Sequence, residues 1–252
     1  MWDVIAWYQD VDTGGSLTAL NAVDDAIYAT SGKDIYVKRP WLIYAFGYGA
    51  NIIRGQLRAP SFGTKHREIP ISSSLSVAPY FLEGGGIYSL RPQKLDINEP
   101  LNAYVAENAG SGTSDKLFVV VFLADRPKVV QRKDYDYVLR LTGSTTLTVG
   151  EWTQVSLTPD VTLPEGVYRI LGMIPISAGC IVARIVATNI PYRPGFKGDT
   201  SEVGTMNGDR LAGLFLGDTG VEFTPRAIPK VEFLSKTADT SEVVYFFVKK
   251  VR

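Results

Sequence analysis

The chain has 252 residues, 45% apolar and 21% charged, which excludes a disordered or fibrous protein and leaves room for two domain cores. Its 26 basic and 26 acidic residues cancel, so no net field attracts a polyanion, and we expect no specific nucleic-acid site. A single cysteine, Cys180, excludes an internal disulfide, and no apolar run approaches the roughly 18 residues of a membrane-spanning helix.

The N-terminus has no basic segment followed by an apolar one, so we expect neither secretion nor membrane insertion. From there on, short β-branched and aromatic runs separated by Gly, Pro, Asn and Asp predict a succession of strands. A short helix is predicted around residues 17–26, and turns are predicted at Ser31-Gly32-Lys33 and Gly84-Gly85-Gly86. The strands predicted in the first half are 2–8, 26–30, 35–37, 41–47, 51–59, 75–82, 87–90, 101–107 and 117–123.

The second half continues the same pattern, with a tenth to eighteenth predicted strand. Cys180 lies in one of them, so we expect a buried thiol there and not a reactive one. These strands are 137–141, 145–149, 153–157, 167–174, 180–187, 211–216, 221–224, 230–235 and 243–251.

The two halves repeat the same order of elements. Residues 41–59 and 167–187 each hold two adjacent strands, and 87–123 and 221–248 hold the later ones. Ile43 and Leu117 are 74 residues apart, and Tyr168 and Val243 are 75 apart. A period of about 125 residues exceeds that of solenoid repeats, so the repeated unit is a whole domain. We therefore predict an all-β protein of two tandem jelly-roll-like β-sandwiches.

A charged connection separates the predicted domains. Residues 124–134 contain Pro127 and a high density of charged side chains, which breaks the strand pattern as a domain linker does. The predicted domains are an N-terminal sandwich over 1–129 and a C-terminal sandwich over 130–252.

No residue set predicts a catalytic, cofactor or metal site. His66 is the only histidine, in the loop Gly63-Thr64-Lys65-His66-Arg67-Glu68, with no second ligand at metal-binding spacing. One histidine cannot fill even one site of a metal-dependent bicupin, the enzyme class that would share a sandwich duplication. The chain also lacks a Gly-x-Ser-x-Gly nucleophile elbow. We predict no enzyme, no cofactor and no small-molecule substrate.

Two alternatives remain open from the residues. A pair of carboxylates is the requirement for a glycosidase, although solvated acids at the surface are the expected role of most of them. Trp2, Trp7, Trp41 and Trp152 are candidates for sugar stacking, and otherwise fill a core or an inter-subunit contact. The candidate carboxylates are Asp24, Asp25, Asp96, Glu99, Asp134, Asp136, Glu222 and Glu232.

The sequence resembles the double-jelly-roll major capsid proteins of icosahedral DNA viruses. The resemblance covers the whole chain and rests on the paired segments 41–59 with 167–187 and 87–123 with 221–248. It implies that each jelly roll stands upright in the shell and that three chains form a pseudo-hexagonal capsomer. Few long insertions separate the predicted strands, so this chain would lack the towers of larger family members.

The resemblance implies a structural coat subunit in the virion shell, assembled in the host cytoplasm. Its partners would be two further copies and neighbouring capsomers, with an inner membrane or minor capsid proteins as further candidates. The loop over 189–209 and the aromatic ends 2–8 and 246–252 are predicted contacts between subunits. The basic end Lys249-Lys250-Val251-Arg252 either faces a membrane or genome, or is a solvated terminus. The alternative function is a carbohydrate-binding or adhesive β-sandwich protein.

Overall fold

In a computed structural model of the chain, two compact units are built almost entirely from β-strands. The N-terminal unit is Val4–Lys128, and the C-terminal unit combines Met1–Asp3 with Val129–Arg252. Within the described residues there is one 3-10 turn, at Pro60–Phe62, and no helix that could span a membrane. The structure describes residues 1–49, 52–62, 69–71, 80–83, 92–107, 115–127, 134–188, 190–199 and 217–252.

Twelve strands lie before the predicted linker in the part of the chain that the structure describes. They are β1 (Trp2–Val11), β2 (Thr18–Ala19), β3 (Asn21–Ala22), β4 (Thr30–Ser31), β5 (Asp34–Tyr36), β6 (Trp41–Gly49), β7 (Ile52–Arg58), β8 (Ile69–Ile71), β9 (Tyr80–Glu83), β10 (Gln93–Lys94), β11 (Pro100–Glu107) and β12 (Asp115–Ala124). β11 alternates buried with half-buried residues over most of its length, as a sheet with one buried face requires, whereas β6 and β12 are apolar and buried on both faces.

Nine strands follow the linker among the described residues of this half. The longest are β16 and β21, which run side by side through the middle of one sheet. The nine are β13 (Tyr137–Gly143), β14 (Trp152–Val155), β15 (Thr158–Pro159), β16 (Tyr168–Ile176), β17 (Cys180–Val186), β18 (Gly195–Lys197), β19 (Glu222–Phe223), β20 (Lys230–Ser235) and β21 (Glu242–Lys250).

Each unit contains two antiparallel sheets. In the N-terminal unit the first sheet has the order β10-β6-β12-β1-β3 with β9 also paired to β6, and the second has the order β4-β5-β11-β7-β8. In the C-terminal unit the first sheet has the order β15-β13-β21-β16-β19, and the second has the order β14-β20-β17-β18.

The two units share one strand order. Eight strands are numbered along each unit: β1, β5, β6, β7, β8, β9, β11 and β12 in the N-terminal unit, and β13, β14, β16, β17, β18, β19, β20 and β21 in the C-terminal unit. With this numbering, the first sheet joins the sixth, third, eighth and first strands in both units. These are β9-β6-β12-β1 and β19-β16-β21-β13. The second sheet joins the second, seventh, fourth and fifth strands, β5-β11-β7-β8 and β14-β20-β17-β18. Eight strands in two facing antiparallel sheets with such crossovers make a jelly roll. The predicted fold class, all-β with two tandem jelly-roll-like sandwiches, is confirmed.

Both cores are made by the inward side chains of the two sheets. In the N-terminal unit Leu117, Val119 and Val121 of β12 join Leu57 of β7 and Leu101 of β11 in one buried cluster. In the C-terminal unit the corresponding layer includes Leu139, Met173, Phe246, Val231 and Phe233, each at most 1% exposed. Burying one such side chain stabilises the fold by roughly 1.5–3 kcal/mol.

Most strand predictions that fall on described residues are confirmed, and three predictions are wrong: one helix and two strands. The predicted helix over 17–26 is instead β2 and β3, two short strands that pair with β11 and β1. Residues 26–29 form a turn in which Asp25 Oδ1 accepts hydrogen bonds from the amides of Ile27 and Tyr28. Residues 145–149 form a loop with a single bridge at Val149.

Several predictions fall outside the described residues. These are the strands over 87–90 and 211–216, most of the strand over 75–82, the Gly84-Gly85-Gly86 turn, His66, and residues 128–133 of the linker. The Ser31-Gly32-Lys33 turn is confirmed, with Gly32 at a φ of +61° that favours glycine. The domain boundary at 129/130 stays a prediction about independently folding parts of the chain.

Candidate functional site

The carboxylates proposed for a glycosidase mostly serve as structural acceptors. Buried Glu99 accepts hydrogen bonds from the Ser61 amide (2.7 Å) and the Asp96 amide (2.8 Å), which fixes the turn before β11. Asp25 caps the turn after β3, and Asp24 accepts a hydrogen bond from the Thr30 hydroxyl. Asp96 and Glu99 are thus brought together by backbone geometry.

The remaining four candidates lie beside cations or amides of the C-terminal unit. Asp134 pairs with Lys249, Asp136 accepts the Lys250 amide at 2.8 Å, and Glu222 pairs with Arg169. The Arg169 guanidinium lowers the pKa of Glu222. Glu232 is buried at 8% exposure and pairs with both Arg184 and Arg193, so it is not the solvated surface acid that we predicted.

The tryptophans do not form an exposed platform. Trp2 and Trp7 are fully buried, and Trp41 and Trp152 are half-buried. The Trp2 indole N–H donates to the Gly195 carbonyl at 3.2 Å, and its ring meets Phe196 edge to face at 5.7 Å. The aromatic ends 2–8 and 246–252, predicted as subunit contacts, therefore supply core residues, because Phe246 is also fully buried.

An arginine stacked on an aromatic ring recurs in both units. In the C-terminal unit the Arg184 guanidinium lies 3.9 Å from the centre of the Trp152 ring, and its Nε donates to Glu232 at 2.7 Å. In the N-terminal unit the Arg58 guanidinium lies 4.0 Å from the centre of the Tyr104 ring. Arg184 is 1% exposed, whereas Arg58 is half-buried.

A buried carboxyl lies at one end of the N-terminal sandwich. Glu107, the last residue of β11, is fully buried, and its Oε2 accepts a hydrogen bond from the Thr13 amide at 2.9 Å. The Thr13 hydroxyl in turn accepts the Glu107 amide at 2.7 Å. Among the described residues, neither Glu107 Oε1 nor Asp115 Oδ2 has a hydrogen-bond donor.

Burial raises the pKa of Glu107 from its ordinary 4.5 to about 7. The Thr13 amide offsets part of this rise, and the neighbouring carboxyl of Asp115 adds to it. A protonated Glu107 carboxyl becomes a hydrogen-bond donor, which suits a buried group beside the carboxyl of Asp115. Glu107 can therefore hold a proton near neutral pH.

The C-terminal sandwich repeats this arrangement at the corresponding end. Glu242 opens β21, is 1% exposed, and accepts a hydrogen bond from the Thr145 amide at 3.0 Å. Thr145 lies two residues after β13 ends, as Thr13 lies two residues after β1 ends. Burial raises the pKa of Glu242, and Glu242 Oε1 has no donor among the described residues. Neither carboxyl was predicted from the sequence, although Glu107 ends β11 and Glu242 begins β21, two strands that are mostly apolar.

Cys180 is buried, as predicted. It lies at the start of β17 with 1% exposure, and burial raises the pKa of its thiol well above the ordinary 9. Within the part of the chain that the structure describes, no group of three or more His, Cys, Asp or Glu side chains is arranged to hold a metal ion. An open groove of about 570 Å³ lies at the β19–β20 connection, lined by Thr224, Ile228 and Pro229 among others.

The loop predicted as a subunit contact is partly a strand. Residues 195–197 form β18, which pairs with β17, so this stretch belongs to the second sheet of the C-terminal unit. The Arg193 amide donates to Asp3 at 2.5 Å, which ties the loop to the N-terminal segment. Residues 200–209 of the predicted loop lie outside the described residues.

These features define a class of protein: an all-β chain of two jelly-roll-like sandwiches with one strand order. Among solved structures, this chain is similar to the major capsid protein P2 from Bacteriophage PM2, with a TM-score of 0.24 and 9% identity. The match covers 100% of this chain and 98% of that one. No protein-family model and no curated protein matches the sequence.

Proposed function

We propose that this chain is a structural coat subunit, a major capsid protein of an icosahedral viral shell, and not an enzyme. The observation that carries the proposal is the repeated strand order. In both units the first sheet has the strand order 6-3-8-1 and the second sheet has the strand order 2-7-4-5. Jelly rolls of this kind occur in viral capsid domains as well as in lectins and cupins. A chain that holds two of them presents two similar building blocks to an assembly.

The duplication gives a symmetric assembly from few chains. Three copies around a threefold axis place six similar sandwiches in a ring, which is a pseudo-hexagonal capsomer. Such a homotrimer packs against neighbouring capsomers with sixfold-like edges although it contains three chains. The proposed domains are 1–129 and 130–252, each one sandwich.

The partners are therefore other copies of this chain and neighbouring capsomers, in a virion shell that assembles in the host cytoplasm. An inner membrane or minor capsid proteins are further candidates, and no small-molecule substrate is proposed. At the basic end, Lys249 pairs with Asp134 and Arg252 lies 3.5 Å from Glu222, which supports the solvated-terminus alternative.

Sedimentation velocity with negative-stain electron microscopy tests the proposal. We expect a species of three times the chain mass and ring-shaped particles with six lobes. A strictly monomeric protein at its highest soluble concentration would count against a coat subunit. Tryptophan fluorescence that responds to added sugars in such a monomer would favour the carbohydrate-binding alternative.

A further inference from the structure

Two acidic side chains from different sheets meet at one end of the N-terminal sandwich. Glu107 ends β11 in the second sheet, and Asp115 opens β12 in the first sheet. The pairing of β11 with β7 shifts register between Ala106 and Glu107, and a bulge of this kind re-aims the side chain that follows it. Asp115 comes two residues before the core residue Leu117, so its side chain points to the same side of the sheet. Both strands thus direct a carboxyl into the space between the two sheets.

The connection between β1 and β2 is tied to this pair of carboxyls by two hydrogen bonds. Glu107 Oε2 accepts the Thr13 amide at 2.9 Å, and the Thr13 hydroxyl accepts the Glu107 amide at 2.7 Å. Because each residue both donates and accepts, the Thr13 segment and the end of β11 separate only if both bonds break. Asp12, whose Oδ1 accepts the Gly14 amide at 2.8 Å, adds a further negative charge near Glu107.

The surroundings of the two carboxyls disfavour a second negative charge. Burial, and then the carboxyls of Asp115 and Asp12, raise the pKa of Glu107. Tyr48 of β6 stays neutral, because burial and the charge of Asp115 raise its pKa to about 12. Lys116, the next residue of β12, is exposed and points to the opposite face of the strand. Two ionised carboxyls here would repel each other across the gap between the sheets, with Glu107 shielded from water.

We infer that Thr13, Glu107 and Asp115 form a proton-dependent clasp, which keeps this end of the sandwich closed while Glu107 holds a proton and lets the β1–β2 connection move away from β11 when the proton leaves. In the closed form the protonated carboxyl is a donor beside Asp115. In the open form both carboxylates are hydrated, which removes the cost of burying two like charges. All of these contacts lie within one sandwich, so the clasp does not depend on the proposed coat function.

The C-terminal sandwich has a clasp of the same kind. Glu242 opens β21, the strand that corresponds to β12, and its Oε2 accepts the Thr145 amide at 3.0 Å. Gly143 pairs with Glu242 across the strands and leaves room for it, since a Cβ at Gly143 would lie 2.4 Å from Val155 Cγ1 and 3.1 Å from Glu242 Oε2. Burial raises the pKa of Glu242, and the charge of Asp239 adds to this rise. The two sandwiches therefore place a proton-binding carboxyl at the same end of the fold.

Amide hydrogen exchange of the full chain, followed by mass spectrometry, tests the clasp of the N-terminal sandwich. Wild type and variants are compared at one pH at a time, which removes the intrinsic pH dependence of exchange. At about pH 8 we expect the segment around Thr13 to exchange at least about tenfold faster in wild type than in Glu107→Gln, with a much smaller difference at about pH 5. Asp115→Asn should also stay closed at about pH 8, because its amide donates to the ionised Glu107.

Two further variants are controls. Thr13→Val removes the hydroxyl that accepts the Glu107 amide, so it should speed exchange at both pH values. Glu165→Gln changes a carboxyl that is 84% exposed and should match wild type at both pH values. Circular dichroism checks that each variant folds. A wild type that exchanges no faster at about pH 8 than Glu107→Gln or Asp115→Asn overturns the clasp, because the ionised carboxyls would then leave this end of the sandwich closed.

Discussion

At the scale of single residues, protonation of Glu107 makes the stability of the fold depend on pH. Its folded pKa of about 7 lies above the ordinary 4.5, so the folded chain binds the proton more tightly than the unfolded chain between these values. The stabilising contribution of this proton is complete below about pH 4.5 and is lost as the pH rises through about 7. Glu242 contributes with the same sign, because burial raises its pKa as well.

We therefore expect Glu107→Gln to flatten the pH dependence of stability. The amide keeps an oxygen for the Thr13 N–H and offers a permanent donor to Asp115, so no ionisation penalty remains. Urea unfolding should show the variant to be more stable than wild type at about pH 8 and nearly equal to it at about pH 5.

Glu165→Gln is the control for this experiment, because the Glu165 side chain is 84% exposed and pairs with the similarly exposed Arg226. It should leave the pH profile unchanged. A Glu107→Gln profile parallel to that of wild type would show that Glu107 has the same pKa in the folded and the unfolded chain, contrary to a raised folded pKa.

At the scale of elements, Trp2 at the start of β1 packs against β18 of the C-terminal unit. Trp2 fills a site against Phe196, and its indole N–H satisfies the Gly195 carbonyl. Trp2→Ala removes a fully buried ring and should lower the free energy of unfolding by about 3–5 kcal/mol. Trp2→Phe keeps a ring and loses the hydrogen bond, so its cost should be smaller.

Urea unfolding followed by circular dichroism measures both variants. Val161→Ala serves as the control in the same unit, because Val161 is 59% exposed and should tolerate truncation. Equal losses for Trp2→Ala and Val161→Ala would mean that the segment does not pack as described.

Long strands were predictable from the sequence, and short ones were not. β12 contains eight consecutive apolar residues, β6 and β21 contain six each, and β17 is apolar except for Arg184; the β-branched and aromatic residues in these runs favour strands. The helix predicted over 17–26 failed because Thr18 and Ala19 gain backbone partners from β11, a contact between distant residues that local periodicity cannot show. The buried carboxyls escaped prediction for the same reason, since Thr13 and Glu107 are 94 residues apart.

At the scale of the whole molecule, the duplication was visible in sequence because strand order survives even where residues differ. The strand order does not show which outer surface of each sandwich is buried. Phe118 and Tyr245 both point outward from the last strand of their sandwich, but only Phe118 is fully buried. Burial depends on what packs against a sheet face. An aromatic-rich strand has the same composition whether its outer face is buried or exposed.

Assembly of the proposed coat subunit should make thermal stability depend on protein concentration. Binding to the folded state alone stabilises it by mass action, so the Tm of wild type should rise as the chain concentration is increased. Differential scanning fluorimetry over a dilution series measures this dependence. A wild-type Tm that stays constant across the series would show that folding of each chain gains nothing from its neighbours, contrary to a subunit that assembles into a shell.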